Sequence, residues 1–264
     1  MSRGVLVTGA SRGVGAAVAK VFAAGGDRVV LHCRGAVDKA EAVLRTLPGD
    51  GHAVVAADLG EAAEIPALVE ESVTAIGRID VLVNNAALFV DEPVSGSRRI
   101  GHPLAETSYE DWVAAWRRTL AVNLEGAAHL TWCVARQMID TEPADGVRRG
   151  AIVNVGSRGA FRGEPDVPAY GASKAGLHAL GQSLAVSLAP HDITVTSIAP
   201  GFIATDMTQE WLAGPDGDSI RAQSPFNRAA TAEEVAAAIH WLASGPAGWS
   251  SGAVLDFNGA SYLH

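Results

Sequence analysis

The sequence predicts an α/β fold, a doubly wound parallel sheet flanked by helices on both faces, for three reasons. Short runs rich in Val, Ile and Leu recur along the chain, as strands buried on both faces require. Longer stretches of helical periodicity separate them, which suits right-handed crossovers between parallel strands. The first apolar run is followed at once by a glycine-rich turn that opens a helix.

The elements follow in order. A strand at 5–8 leads through the turn into a helix at 14–24, and a strand at 28–33 is followed by a helix at 36–47. The next pairs are strand 53–57 with helix 62–76, and strand 81–84 with one long helix at 109–139. Strand 152–155, helix 169–188, strand 193–198, helix 232–243 and strand 253–256 complete the pattern. Three stretches break it and read as surface loops: 88–107, which contains Arg98 and Arg99; 140–150; and 205–228, which contains Gly214-Pro215-Asp216-Gly217. In an open α/β sheet the ligand crevice lies beyond the carboxyl ends of the strands, so the first and third loops are candidate walls or lids. No linker, repeat or low-complexity tract divides the chain, and residues 1–264 are expected to form a single domain.

Composition narrows the function. Of the 264 residues, 48% are hydrophobic, enough for a substantial core, and the net charge of −9 with no basic run argues against a nucleic-acid surface. Cys33 and Cys133 read as two buried thiols, and no Cys, His or carboxylate cluster has ligand spacing, so no metal is expected. Trp112 and Trp116, at helical spacing, read as a packing face. A strand beginning near residue 4 leaves no room for a signal peptide, and no apolar run is long enough to cross a bilayer. The expectation is a soluble cytoplasmic protein with no membrane partner.

The turn itself reads Thr8-Gly9-Ala10-Ser11-Arg12-Gly13-Val14-Gly15. Between a strand and a helix N-terminus, such a turn brings backbone N–H groups and the helix dipole to a pyrophosphate. Its spacing is G-x-x-x-G-x-G, which resembles the short-chain dehydrogenase/reductase family and implies a Rossmann-type fold. The resemblance extends along nearly the whole chain. Asp58 matches the residue that contacts the adenine amino group, with Leu59 beside it, and it also reads as an N-cap for the helix that follows. Asn84-Asn85-Ala86-Ala87 matches the family's Asn-Asn-Ala-Gly turn, with Ala87 in place of glycine. The segment Pro200-Gly201 through Ile203 and Thr205 matches the part that holds the nicotinamide carboxamide.

The end of the second strand bears on which nicotinamide cofactor is used. An NAD-binding unit places a carboxylate there for the ribose hydroxyls, whereas this chain has His32-Cys33-Arg34. Arg34 can pair with a 2′-phosphate, and Arg12 approaches the same position from the glycine-rich turn. Both follow the family's NADP-preferring pattern, so the expected cofactor is NADP(H).

Asn123, Ser157, Tyr170 and Lys174 resemble the family's catalytic tetrad. Tyr170 and Lys174 lie one helical turn apart on one face. Hydride addition to a carbonyl builds negative charge on oxygen, and Tyr170 is the acid that neutralises it. The expectation is that Lys174 lowers the phenol's proton affinity and also binds the nicotinamide ribose, that Ser157 orients the carbonyl, and that Asn123 holds a water in a proton relay. The surroundings of Ser157 lack a nucleophile elbow and triad, which excludes a serine hydrolase. Pterin reductases, which share the fold, usually replace this serine.

The leading expectation is therefore reduction of a ketone to a secondary alcohol, including the 3-keto group of an acyl thioester. The alternatives are an alcohol dehydrogenase for a sugar, polyol or steroid, and a non-catalytic dinucleotide sensor, which would have no use for Tyr170. In its motifs the chain is nearest to the 3-oxoacyl-acyl-carrier-protein reductase branch. Arg148-Arg149 would meet an acidic carrier protein, although His191 replaces the second basic group that this branch usually carries. The same resemblance implies a homotetramer or homodimer, formed through the helices at 109–139 and 169–188 and through residues 253–264.

Overall fold

The computed structural model describes residues 2–89, 101–142, 149–205 and 208–263, with the main chain alone at Glu210. Seven strands form one parallel sheet. They are β1 (Gly4–Val7), β2 (Arg28–Cys33), β3 (Ala53–Ala56), β4 (Val81–Asn84), β5 (Gly150–Val155), β6 (Ile193–Pro200) and, after a short pair β7 (Ile203–Ala204) and β8 (Ala230–Thr231), β9 (Val254–Phe257). The order is β3-β2-β1-β4-β5-β6-β9. β1 has β2 on one side and β4 on the other, so the winding reverses between β1 and β4, and their carboxyl ends frame the crevice.

The helices are α1 (Gly13–Ala24), α2 (Val37–Leu44), α3 (Ile65–Ile76), α4 (Tyr109–Leu120), α5 (Ala127–Asp140), α6 (Gly159–Arg162), α7 (Pro168–Leu188), α8 (Gln209–Ala213), α9 (Gly217–Ala222) and α10 (Ala232–Leu242). Alternation along the strands builds a core on each side of the sheet. Val5, Val7, Val29, Leu31, Val81 and Val83 point to one face and meet Val18 and Phe22 of α1 and Val235 and Ile239 of α10. Leu6, Val30, Leu82 and Ile152 point to the other, against Leu68 of α3, Leu130, Val134 and Met138 of α5 and Leu188 of α7. Each such side chain contributes about 1.5–3 kcal/mol on leaving water, which fixes the sheet that carries the site.

All seven strands of the sheet lie where the sequence places them. The long helix predicted over 109–139 does not run unbroken: Ala121–Gly126 form a π turn between α4 and α5. Gly126 makes this approach possible, because a Cβ there would overlap the carbonyl of Leu59. The helix predicted from residue 62 starts at Ile65, with Pro66 in its first turn. The loop predicted over 205–228 contains α8 and α9, two helices too short for periodicity to reveal. Of the loop at 88–107, residues 90–100, including Arg98 and Arg99, lie outside the described residues, as do 143–148 of the loop at 140–150. Among the described residues no helix is long and apolar enough to cross a membrane.

Candidate active site and cofactor cleft

A cavity of about 580 Å³ opens at the carboxyl ends of the strands, and every residue expected to bind the cofactor lines it. The glycine-rich turn forms its floor. Gly9 and Gly13 have positive φ, at 66° and 56°. Gly15 has no room for a side chain, since a Cβ would stand 2.7 Å from Nδ2 of Asn85. The extended Arg12 precedes α1, and no side chain caps this helix, so the N–H groups of its first turn are left for a ligand.

The turn is clamped from two sides. Asn85 donates from Nδ2 to the carbonyl of Thr8 at 2.8 Å, and Thr8 Oγ1 accepts from the N–H groups of Asn85 and Ala86, each at 2.9 Å. Ala87 does not adopt positive φ, so the absence of the family's glycine costs this turn nothing. On the other side the buried His32 accepts from the N–H of Gly9 at 3.3 Å through Nδ1 and bonds the carbonyl of Ala57 at 3.0 Å through Nε2. Since Nδ1 accepts, Nε2 carries the proton, and the ring is neutral. Burial, the largest influence, holds its pKa below the usual 6.5. In the sequence His32 stands out only for not being a carboxylate.

Arg12 and Arg34 are exposed and line the same end of the cavity, where no acidic side chain ends β2. Asp58 and Leu59 form the neighbouring wall. Asp58 does not cap α3: its Oδ1 accepts from the N–H of Gly60 at 2.9 Å, closing a local turn, because the helix begins later than predicted. Pro200, Gly201, Ile203 and Thr205 face the turn from across the cleft, and a Cβ on Gly13 would touch Thr205 Cγ2 at 3.5 Å.

At the other end Ser157, Tyr170 and Lys174 converge. Ser157 follows β5 and its Oγ accepts from the N–H of Gly159 at 3.0 Å, which leaves its hydroxyl proton and second lone pair toward the cavity. Its hydroxyl is near enough to the phenol of Tyr170 to act on it. Tyr170 keeps partial exposure, yet burial pushes its pKa up to about 12, the Ser157 hydroxyl opposing and the charge of Glu164 reinforcing the rise. Lys174, 2% exposed, donates from Nζ to the carbonyl of Val155 at 2.7 Å and lies 5.7 Å from the centre of the Tyr170 ring. Burial brings its pKa down to about 8. Desolvation is the largest influence on the phenol, and Lys174 is not among the groups that lower its pKa here.

Asn123 alone of the four does not line the cavity. It sits in the π turn, 1% exposed, accepting from the N–H of Leu88 at 2.7 Å and donating to the carbonyl of Leu88 at 2.9 Å and to Oγ of Ser173 at 3.1 Å. Both of its amide protons are thus used within the protein. The side chain ties the loop after β4 to Ser173 of α7.

Several groups at the substrate end escaped sequence analysis. Phe89 packs edge-on against Tyr170 at 4.7 Å and meets Trp211 of α8 at 5.3 Å, so the third predicted loop does form a wall. His102 accepts from the N–H of Ala169 at 3.2 Å and ties the first loop to the start of α7. Arg158 and Glu164 also line the cavity. Arg149, by contrast, is spent on the end of α5, donating to the carbonyls of Met138, Ile139 and Thr141, and Arg148 lies outside the described residues. Trp112 and Trp116 pack on each other as expected, 5.7 Å apart.

Comparison with known proteins agrees with this geometry. The family model described as short chain dehydrogenase matches residues 3–216. The chain is 32% identical over its full length, and over all of the relative, to the 3-oxoacyl-(acyl-carrier-protein) reductase FabG of Staphylococcus epidermidis. It is 35% identical to the D-threitol dehydrogenase of Mycolicibacterium smegmatis, over 96% of this chain and 90% of that one. A short chain dehydrogenase from Burkholderia cenocepacia, solved in complex with NADP, superposes with a TM-score of 0.82 at 30% identity, covering 98% of this chain and 97% of the other. With a glycine turn at the switch point of a parallel sheet, and a serine, a tyrosine and a lysine gathered above it, the chain belongs to the short-chain dehydrogenase/reductase family of oxidoreductases.

Proposed function

We propose that the protein uses NADPH to reduce a ketone to a secondary alcohol, with residues 1–264 acting as one NADP(H)-binding domain. The observation that carries this reading is the junction of two half-sites in one cavity. A phosphate cradle with two arginines and no carboxylate at the end of β2 lies at one end, and Tyr170 gathered with Ser157 and Lys174 lies at the other. The cradle fits a dinucleotide, since Gly9, Gly13 and Gly15 line the cavity without side chains and no side chain caps the first turn of α1.

When bound, the nicotinamide supplies the hydride. The protein's own share of the reaction is positional and acid–base. Ser157 holds the carbonyl oxygen beside Tyr170 and relieves part of its developing charge. Tyr170, neutral at working pH, delivers the phenolic proton to that oxygen. Lys174, still largely charged at pH 7, stabilises the phenolate left behind. Asn123 keeps Leu88 and Ser173 in place around this group.

A second reading, the same site oxidising a polyol, is favoured by the D-threitol dehydrogenase relative. The reductase relative acts, by its name, on a carrier-bound substrate. For this chain a freestanding ketone is the better supported substrate, because the guanidinium of Arg149 is already engaged. We place the protein in the cytoplasm as a homotetramer or homodimer. Trp132 of α5 and Val186 of α7 are 67% and 79% exposed on the two long helices, and Leu263 is 80% exposed in the carboxyl-terminal segment. The test is NADPH oxidation against a panel of 3-oxoacyl thioesters, cyclic ketones, diketones and ketoses. Turnover that disappears in Tyr170→Phe supports the reading. No turnover with any carbonyl, or turnover indifferent to Tyr170, refutes it.

A further inference from the structure

The substrate end of the cavity carries two charged groups that proton and hydride transfer do not need, Arg158 and Glu164, and of the two Glu164 is the one without a partner among the described residues. Glu164 lies between α6 and α7 and lines the cavity with Ser157 and Tyr170, and its charge reaches the phenol of Tyr170. Two glycines make its seat. A Cβ on Gly159 would stand 2.5 Å from Glu164 Oε1 and 2.9 Å from its Cγ, and a Cβ on Gly171 would lie 3.7 Å from its Cβ. The side chain is therefore laid across bare backbone beside α7, and a larger residue at 159 would push its carboxyl aside.

The carboxyl is half-buried but has no donor. Among the described residues nothing hydrogen-bonds to it or pairs with it. Arg158 directs its guanidinium to Gln223 and over the ring of Phe202 at 5.2 Å, and Arg162 also donates to Gln223 Oε1, at 3.1 Å. Both arginines are near enough to act on Glu164 through space, and burial still outweighs them in raising its pKa. A half-buried carboxyl without a donor costs free energy, which a ligand with an O–H in the right place restores. The two guanidinium charges disfavour a cationic group there, so the complement is a neutral hydroxyl.

We propose that Glu164 accepts a hydrogen bond from a hydroxyl of the substrate, and that the preferred substrates are hydroxylated ketones, or polyols in the reverse direction, rather than ketones with plain alkyl arms. This rests on the reading of the site as an NADPH-dependent carbonyl reductase. Glu164 is a specificity-determining group, not a proton donor to the reacting oxygen.

The experiment measures kcat/KM for a hydroxyketone and for the ketone of the same length lacking the hydroxyl, with the wild type, Glu164→Gln and Glu164→Leu. The wild type is expected to favour the hydroxyketone about 10-fold or more, the scale of a hydrogen bond to a charged group. In Glu164→Leu this ratio falls to about one, chiefly through KM for the hydroxyketone, while Glu164→Gln, which keeps an acceptor, retains part of it. Thermal melting and NADPH binding by fluorescence establish that both variants are folded and loaded. A wild type that reduces both ketones in a Tyr170-dependent way without preference, or a ratio unchanged in Glu164→Leu, overturns the assignment and leaves the reductase reading intact. No Tyr170-dependent turnover of either ketone, or of any other carbonyl, removes both.

Discussion

Replacing Lys174 with Met is expected to make the protein more stable while destroying its activity. Lys174 is buried at 2% exposure, and the carbonyl of Val155 at 2.7 Å is its hydrogen-bond partner among the described residues. Burial brings its pKa from 10.5 down to about 8. At about 1.4 kcal/mol for each tenfold change in proton affinity, that fall means the charged form opposes folding by about 3 kcal/mol at pH 7. Met has nearly the same volume and leaves no cavity, but it forfeits the bond to Val155, worth about 1 kcal/mol. The net expectation is a gain of about 2 kcal/mol, read by urea unfolding without cofactor. The sign of the pH dependence follows. The unfolded chain holds this proton more tightly than the folded one, so the wild type gains stability as pH rises from about 8 toward 10.5, and the gap to Lys174→Met narrows over that range. A variant less stable than wild type at pH 7, or a gap that stays constant from about pH 8 to 10, would refute the reasoning.

Arg34→Asp should weaken NADPH affinity about 30-fold or more and NADH affinity little, because a pairing charge becomes a repelling one; equal losses, measured by fluorescence titration of both cofactors, would exclude a 2′-phosphate at this position. Tyr170→Phe should lower turnover about 100-fold or more with NADPH binding kept, and a near-normal rate would remove Tyr170 as the acid. His32, whose folded pKa is depressed, contributes stability that is complete above 6.5 and is lost as pH falls toward the lower folded value. His32→Asn should therefore flatten the acid limb of both the melting temperature and the NADPH KM, and an acid limb unchanged in the variant would show that the clamp on Gly9 does not titrate there.

Much of this fold is legible in the sequence because its strands are buried on both faces. Continuous runs such as Val81–Asn84 have few other uses, and of the turn's glycines those at 9 and 15 stand where crowding forbids a side chain while that at 13 holds a positive φ. Ser157, Tyr170 and Lys174, picked out in the sequence by a family resemblance, do come together in one cavity, whereas Asn123 lies behind its wall. What escapes is whatever depends on contacts between segments far apart in the chain. Glu164 sits in no periodic element, and nothing in its neighbours announces that Gly159 and Gly171 will seat it beside Tyr170. His32 is one residue in a strand until Gly9 and Ala57 close on either side of its ring. The pKa of Lys174 is likewise a property of the packed site, not of the Tyr-x-x-x-Lys spacing.

The π turn at Ala121–Gly126 acts as a phase shifter. It holds one residue more than an α turn, so the helices on either side are offset by about 100° about a common axis. α4 turns Ala115 and Thr119 inward and packs on α7, while α5 turns Leu130, Val134 and Met138 toward the core and packs on α3. One unbroken α-helix could satisfy only one of these partners at a time. Removing a single residue from this turn would keep the helix but misdirect half of it, detaching the helix that packs on α7 from the helix that anchors the sheet.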